Sequence, residues 1–563
     1  MKKLLALVLV ALLVLTSLVA CGKKATLEDE EPTKKVETKA TEPATDKVDK
    51  EEETTPAPAP EQPDDSKKDE NDSVIENGGD VDNSGNTSSD EDTGVCVDED
   101  KNHACDKCGA EMGEHSDSPD DQDDLCEYCG KTMFIMINTV EELMALPMND
   151  ENAKYALAVN LDLNGAEWAP LGTSAAPFKG IFDGNGFTVS NFKVTKNVQY
   201  AGLFAYNVGT IRNLGVKNVN IETKANYVGA LVGYNNKGTV INCYAEGAVI
   251  ANADYVGGLM GYNYNGSVVD SYAKTDVTGK GVVGGLIGES KTGKIENSYA
   301  KGAVEAYRET TSAAHTYAGG LVGKIEGTKV VNSYAAGAAT STDYAGGLVG
   351  KASHDAEIQK SYATGNVGGA FYAGGLIGHV EKSSMTECYA SGDVSNSACA
   401  GGLVAVNAEG SIANCYAEGA VSGFNYAGGA VAFNANGIIA NSYAKGDVKC
   451  FTYAGGLVGE NSNGTIMSCY AMGNVESSGF NFSDNYAGGL VGVDNGGVIT
   501  NCFRYSVQTI SGSITNEIGE VKDLAVLQDY NFQMTVLQWS QSVWLFTGGA
   551  HPTLLNVGLV VAK

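Results

Sequence analysis

Apolar and polar positions follow a pattern that returns every 27 or 28 residues along most of this chain. Each return carries a phrase close to Tyr-(Ala/Val)-Gly-Gly-Leu-(Val/Ile)-Gly, and a second phrase, Asn-(Cys/Ser)-Tyr-Ala, follows it. Two steps are longer, at 35 and 33 residues. A fixed period of this length predicts stacked structural units and argues against a globular domain with one active site. The first phrase begins at Tyr227, Tyr255, Val282, Tyr317, Tyr344, Tyr372, Cys399, Tyr426, Tyr453 and Tyr486.

Each unit contains short apolar runs separated by Gly, Asn, Asp and Ser, which predicts strands and turns. A unit is too short and too rich in Gly for a pair of helices, but it suits one coil of a parallel β-helix. Coils of this kind stack at roughly 4.8 Å. The pattern therefore predicts an all-β, right-handed parallel β-helix (solenoid) of about 11 or more coils.

Side-chain directions follow from comparing the copies. The residue three before the Cys/Ser of the second phrase is always apolar, from Val240 to Ile499, and we expect it in the core. The next two positions accept charge, as at Glu296 and Lys360, and two consecutive outward residues indicate a corner because a strand alternates. The Cys/Ser then points inward, the Tyr outward and the Ala inward, with a Tyr-in register as the alternative.

The cysteines of the repeat have two interpretations. They form either a ladder of thiols for metal or disulfides, or small buried residues that are interchangeable with Ser. We expect the second, because most of them have Ser in the neighbouring copies. Cys388 and Cys415 are then the adjacent pair.

The repeat resembles the GLUG motif, named for Gly-Leu-any-Gly, as in Gly258-Leu259-Met260-Gly261. The resemblance covers roughly residues 134 to 563 and implies a right-handed β-helix of bacterial surface proteins, some of which carry adhesin or immunoglobulin-protease modules. A solenoid exposes unpaired backbone at its ends. We expect a helix from Thr139 to Leu146, with Thr139 as N-cap and Glu142 completing a capping box, to cover the first coil. The aromatic tail around Trp539, Trp544 and Phe546 is the candidate far cap.

The first residues indicate export. Residues 1–21 combine a Lys-Lys start, an apolar stretch and Leu18-Val19-Ala20-Cys21, which resembles the lipobox of bacterial lipoproteins. Cleavage before Cys21 would make it the lipid-bearing N-terminus and anchor the chain to the membrane through acyl chains such as palmitate. Residues 22–95 have almost no aromatic or large apolar residues, so we expect a disordered acidic tether.

The net charge is −31, and residues 1–133 hold 35 acidic and 14 basic residues. A surface this acidic argues against nucleic acid, which requires a basic face.

Residues 96–133 hold the clearest chemistry. Two C-x2-C pairs, Cys105/Cys108 and Cys126/Cys129, lie 17 residues apart and each precedes a Gly, as in four-cysteine structural zinc sites. Cys96, His103 and His115 are substitute ligands. Disulfides remain the alternative outside the cytoplasm. The stretch is similar to short zinc-ribbon-like spacers, and zinc is expected to be structural.

Three functions compete. A carbohydrate-active lyase or hydrolase would need paired carboxylates on successive coils, and no such cluster is evident from the repeat alignment. The chain has only three arginines and no H-E-x-x-H motif. We therefore expect a non-catalytic surface protein that binds a glycan or a host or cell-wall protein, with a passive spacer as the other alternative. The candidate contact residues lie in the two loops that lengthen the period, residues 304–316 and 476–485. They are Tyr307, Arg308, His315, Phe480 and Phe482.

The expected organisation is a lipoprotein signal peptide (1–21), acidic linker (22–95), zinc-ribbon-like module (96–133), N-terminal cap with first coils (134–226), repeat β-helix (227–513) and C-terminal cap (514–563). We expect an extracytoplasmic, surface-exposed, membrane-anchored monomer.

Overall fold

The structure is a computed structural model, and it describes residues 95–96, 132–308, 314–369, 371–479, 485–555 and 557. Within these residues the chain winds into a parallel β-solenoid of about 13 turns. The predicted fold class, an all-β parallel β-helix, is confirmed.

Each coil contributes to three parallel sheets, which we call the first, second and third face. The first face has 14 strands, the second 32 and the third 11. The strands of the first face are Ile135–Ile137, Lys154–Leu157, Ile181–Asp183, Thr210–Arg212, Thr239–Ile241, Ser267–Val269, Lys294–Glu296, Lys329–Val331, Glu357–Gln359, Ser384–Thr386, Ser411–Ala413, Ile438–Ala440, Thr465–Met467 and Val498–Thr500. The strands of the third face are Phe204–Asn207, Val232–Asn236, Met260–Tyr264, Ile287–Lys291, Val322–Glu326, Val349–Ser353, Ile377–Glu381, Val404–Ala408, Val431–Ala435, Val458–Ser462 and Val491–Asn495.

The second face takes more than one strand from most coils. Its strands are Leu161–Glu167, Thr188–Val194, Tyr200–Ala201, Gly215–Thr223, Tyr227–Gly229, Tyr244–Ala251, Tyr255–Gly257, Tyr272–Lys280, Val282–Gly284, Tyr299–Ala300, Val304–Tyr307, Tyr317–Gly319, Tyr334–Ala335, Ala339–Ser341, Tyr344–Gly346, Tyr362–Ala363, Val367–Gly368, Tyr372–Gly374, Tyr389–Ala390, Val394–Gly401, Tyr416–Ala417, Val421–Gly428, Tyr443–Ala444, Val448–Cys450, Tyr453–Gly455, Tyr470–Ala471, Val475–Ser477, Tyr486–Gly488, Phe503–Tyr505, Ile510–Ser511, Ile514–Asn516 and Glu520–Lys522.

Equivalent residues of successive coils lie directly next to one another in the stack. Tyr227 pairs with Tyr255, and Tyr244 pairs with Tyr272. The corner predicted before the Cys/Ser is present, and the residue immediately before that Cys/Ser has a left-handed backbone, as at Asn242 with φ 51°. Asn tolerates this conformation better than most residues, which explains why it dominates the position.

The interior is aliphatic, as the repeat predicts. Val240 and Ile412 are fully buried, the small Cys/Ser residues line the same interior, and the Ala after each Tyr points inward. The alternative Tyr-in register is therefore wrong. The seven cysteines in the described repeat are buried, and burial raises the pKa of Cys243 to about 12, which keeps that thiol protonated. Cys469 and Cys502 lie on neighbouring coils, so Cys388 and Cys415 are not the only adjacent pair.

A buried row of Asn side chains donates hydrogen bonds to backbone carbonyl groups in the turn between the third and first faces. The Nδ2 group of Asn434 donates to Asn461 Oδ1 at 2.8 Å and to the carbonyl oxygen of Gly437 at 3.1 Å. Asn407 Nδ2 donates in turn to Asn434 Oδ1 at 2.8 Å. Gly is required at 437 because a Cβ there would lie 2.1 Å from Asn407 Nδ2. Buried backbone carbonyls need such partners.

Helices occur only near the two ends of the described solenoid. The helix Val140–Met144 has the capping box of Thr139 and Glu142, and it buries Leu143 against the first coils. The short helix Leu524–Leu527, the π-helix Phe532–Val536 and the hairpin of Trp544–Leu545 with Thr553–Leu554 follow the last coil. Val95–Cys96 pairs with Thr132–Met133 in a separate parallel ribbon. In the part of the chain that the structure describes, no helix has the length and apolar character needed to cross a bilayer.

Candidate binding groove

Three rows of tyrosines run along the outside of the solenoid. The first row contains one Tyr from each of nine successive coils, stacked at 4.8–5.0 Å with nearly parallel rings. Its members are Tyr244, Tyr272, Tyr299, Tyr334, Tyr362, Tyr389, Tyr416, Tyr443 and Tyr470.

The C-terminal segment covers the end of the first row. Trp539 stacks on Tyr470 at 5.5 Å, and its indole N–H donates to the carbonyl oxygen of Ser468. The hydroxyl of Tyr443 donates to the carbonyl oxygen of Pro552 at 2.9 Å. Tyr443 and Tyr470 are completely buried. This segment, expected at the end of the stack, therefore lies along the flank, and that end of the first row is unavailable to a ligand.

The second row and a short third row meet edge to face. The second row begins at Tyr200, Tyr227 and Tyr255, and the third consists of Tyr206, Tyr234 and Tyr262. Rings from the two rows contact each other at 5.2–5.8 Å in T-shaped pairs. All six rings are half-buried, and the two rows lie side by side along successive coils. We call these six residues the groove.

Within each row of the groove the rings stack on their own copies at 4.9–5.3 Å. Their faces are therefore covered by one another, and they present edges and hydroxyl groups to solvent. Burial, with neighbouring phenols adding to it, raises the pKa of Tyr234 far above its ordinary value. The hydroxyls remain protonated and can both donate and accept hydrogen bonds.

Both rows of the groove stop at the same coil. Val282 takes the place of Tyr in the second row, and Glu289 takes the place of Tyr in the third. In the next coil Lys324 lies on Glu289, and Lys351 and His379 continue the third row. The groove thus changes from aromatic to charged within one coil spacing.

The charged residues at this change, Glu289, Lys291, Lys324 and Glu326, form a compact ion-pair network. We call these four residues, together with Val282, the step. Lys324 Nζ lies 2.7 Å from Glu326 Oε1 and 3.7 Å from Glu289 Oε1. Lys291 Nζ lies 2.8 Å from Glu326 Oε2. Glu289 is only 5% exposed.

The two carboxylates of the step have very different affinities for protons. Burial raises the pKa of Glu289 to about 7, against the opposing effect of Lys324. Burial would also raise the pKa of Glu326, but hydrogen bonds from Lys291 and Lys324 outweigh it and lower the value to about 2. Glu289 therefore holds a proton much more readily than Glu326 does.

The first insertion loop emerges beside the step. Strand Val304–Tyr307 carries Tyr307 at its end, and Arg308 Nη2 lies 3.3 Å from Asp343 Oδ1. Thr316, at the other end of the loop, donates its backbone N–H to Asp343 Oδ2 at 2.9 Å. Buried Asp343 therefore holds both ends of the loop, and residues 309–313 lie outside the described residues.

His315 is the loop residue that points toward the second row. Its ring lies 5.5 Å from Tyr344 and 6.4 Å from Tyr317, edge-on to both. Tyr317 is the residue that follows Val282 in the second row. Of the three described loop residues predicted from the sequence, His315 is thus brought to the second row, whereas Arg308 serves to anchor the loop.

The second insertion loop, residues 476–485, precedes Tyr486 of the second row, just as the first insertion loop precedes Tyr317. Buried Asn485 donates to the carbonyl oxygen of Gly479 at 2.9 Å and joins the ends of the loop. Phe480 and Phe482 lie outside the described residues. The same is true of Cys21 and of the predicted zinc ligands Cys105, Cys108, Cys126 and Cys129, which stay predictions. Within the described residues no group of three or more His, Cys, Asp or Glu side chains is placed to hold a metal ion.

Sequence reasoning missed the third row and the step. A signal was present, because Tyr234 and Tyr262 follow the Tyr of the first phrase by seven residues, and Glu289 and Lys324 occupy the same position in the next two copies. The expectation that no carboxylates cluster on successive coils is therefore wrong at this position, because Glu289 and Glu326 lie on neighbouring coils.

Five segments match the GLUG motif, at residues 224–250, 341–368, 369–395, 396–422 and 452–476. A protein of Evansella cellulosilytica, named as a Gly-rich membrane protein, is 35% identical over 95 residues. That match covers 16% of this chain and only 11% of the relative.

Two solved structures match this chain at low similarity. One titled IgA1 protease has 21% identity and a TM-score of 0.35, over 44% of this chain and 21% of its own. One titled as an immunoglobulin A1 protease from Bacteroides ovatus has 18% identity and a TM-score of 0.27, over 75% of this chain and 92% of its own. The chain therefore carries GLUG repeats within a parallel β-solenoid.

Proposed function

We propose that this chain is a non-catalytic cell-surface protein, anchored to the membrane through lipid on Cys21, that binds glycan chains along the groove and the step. One observation carries the proposal: three departures from the repeat coincide. At one coil the second row is interrupted by Val282 and the tyrosines of the third row end, an ion-pair network lies there, and the first insertion loop leaves the solenoid beside it. The stretch between residues 250 and 341, which contains all three, is also a stretch that the GLUG motif does not match.

The groove has the chemistry that a polysaccharide needs. Its phenol groups repeat along the axis with ring spacings of 4.9–5.3 Å, so an extended chain of sugars could meet successive hydroxyls in register. Each phenol can donate and accept, which suits sugar hydroxyls. At the step, charged side chains converge on a partly apolar wall, a common arrangement in ligand sites.

Binding fits the step better than catalysis does. Both oxygens of Glu326 are engaged, one by Lys324 and the other by Lys291. Glu289 is buried, and its carboxylate is paired with Lys324. Neither carboxylate is positioned to protonate a leaving group or to activate water without breaking this network.

Glycan cleavage is a second candidate function because the pKa values of Glu289 and Glu326 are driven apart, as they are in glycosidase acid and base pairs. The two functions differ in a simple assay. A binder leaves the chain length of a bound polysaccharide unchanged over a day, whereas an enzyme produces new reducing ends or unsaturated products, and Glu289→Gln abolishes them.

A binding screen tests the proposal. The purified full chain is applied to arrayed glycans, cell-wall fragments and host matrix proteins. Saturable binding to a polysaccharide supports the proposal. Binding only to proteins would assign a protein partner instead, and no binding to any class would leave a passive spacer.

A further inference from the structure

The first coils have a bend that the later coils lack. Strands Leu161–Glu167, Thr188–Val194 and Gly215–Thr223 each contain a residue with left-handed backbone: Asn164 (φ 50°), Asn191 (φ 57°) and Asn218 (φ 51°). The strand register shifts beside them. Two coils after Gly215–Thr223, strand Tyr272–Lys280 continues without a left-handed residue.

A cavity of about 330 Å³ opens on the outside of this bend. Asn164, Gly165, Asn191, Lys193, Asn218 and Asn220 line it, above the buried ring of Phe192. Its volume lies at the lower end of the range for small-molecule sites. The lining offers four carboxamides and one ammonium group, and it contains no carboxylate.

Hydrogen bonds orient two of the carboxamides, those of Asn191 and Asn218. Asn218 Nδ2 donates to Asn191 Oδ1 at 3.2 Å, and Asn191 Nδ2 donates to Asp162 Oδ1 at 2.8 Å. The same Asp162 oxygen accepts the backbone N–H of Asn164 at 2.8 Å. Each carboxamide has two N–H donors, and this ladder uses one from each of Asn191 and Asn218. The negative charge of Asp162 is thus already held by two N–H groups below the cavity.

We propose that this cavity is a binding site for a sugar acid, such as one uronic acid unit of a polysaccharide. Carboxamides pair with hydroxyl groups as both donors and acceptors, and the ammonium group of Lys193 pairs with the carboxylate. The lining has one cation, which suits a single negative charge. This site is separate from the groove, and its test does not depend on the function proposed above.

The test uses the full chain with methyl glucuronoside and methyl galacturonoside as probes and methyl glucoside as the neutral comparison, followed by ligand-observed NMR titration. Two variants on outward strand positions, Lys193→Gln and Asn220→Ala, alter the lining without touching the core. Lys224→Gln, an exposed lysine outside the cavity, is the matched control.

We expect saturable binding of at least one uronoside, weakened about fivefold or more in Lys193→Gln and in Asn220→Ala and unchanged in Lys224→Gln. The variants should unfold at the same temperature as the natural chain. Weaker binding is then due to the altered cavity and not to a loss of folding. Absence of uronoside binding, equal affinity for methyl glucoside, or affinities that are unaffected by the two cavity variants would each overturn the proposal.

Discussion

Replacing Asn434 by Ala tests whether the buried Asn row holds the solenoid together. The substitution removes the donor to Gly437 O and to Asn461 Oδ1 and the acceptor for Asn407 Nδ2. Three polar groups then lose a partner in a place with no exposed surface. Each costs about 1–3 kcal/mol, and partial relaxation reduces the sum, so we expect a loss of roughly 3–5 kcal/mol.

The change should be local, because stability in a solenoid is a sum over coils and their neighbours. Hydrogen exchange measured by mass spectrometry on peptides from residues 400–470 reports it directly. A loss of about 3 kcal/mol lowers protection by roughly a hundredfold. Peptides from the first coils should be unchanged.

Asn436→Ala is the matched control, since Asn436 is an exposed Asn in the same turn with φ 54°. It loses only the ease with which Asn adopts left-handed backbone, about 1 kcal/mol. If the two variants exchange equally fast, or if Asn434→Ala exchanges like the natural chain, the Asn row does not stabilise the turn.

Three further predictions concern other parts of the chain. Burial, aided by Lys445, lowers the pKa of His551 from 6.5 to about 4, and its Nδ1 lies 2.9 Å from the hydroxyl of Tyr470. The docking of the C-terminal segment should therefore be strongest above pH 6.5 and lose about 1–2 kcal/mol, after discounting for partial exposure, as pH falls toward 4. Tryptophan fluorescence measures this, and an identical pH profile in His551→Gln would contradict it. Cys21→Ser should abolish palmitate labelling and release the chain from the membrane fraction, and a variant that stays labelled would show that the lipid is elsewhere. The reduced zinc-ribbon-like module of residues 96–133 should bind one zinc ion and lose its folded circular-dichroism spectrum in chelator, and an unchanged spectrum would favour disulfides or neither.

The direction of most side chains was predictable from the repeat itself. Comparing copies identified Val240 as inward, the following corner, and the small slot at Cys243, because each position must satisfy the same neighbours in every coil. The first face alone has 14 stacked strands, so many copies of each position are available for comparison. The left-handed corner also follows, since Asn is the commonest residue there.

The groove was not predictable in the same way. Whether Tyr227 and Tyr234 meet depends on the bend between the second and third faces, and the sequence period does not determine that bend. The T-shaped contact at 5.2 Å appears only once the bend is known. Similarly, the aromatic tail identified a cap, but its position along the flank depends on the outward-facing rings of Tyr416 and Tyr443, against which Trp544 packs.

The most direct test of the central claim is a calorimetric titration with the polysaccharide selected in the screen. Three forms of the full chain are compared: the natural chain and two double variants. Tyr234→Phe with Tyr262→Phe removes two phenol groups from the groove and keeps the ring stacks, whereas Tyr244→Phe with Tyr272→Phe does the same to the first row. We expect binding about thirtyfold weaker for the groove pair, since each of the two lost hydrogen bonds contributes about 1 kcal/mol, and unchanged binding for the other pair. Equal affinities for all three forms, or an effect confined to the first row, would show that the groove is not the binding surface.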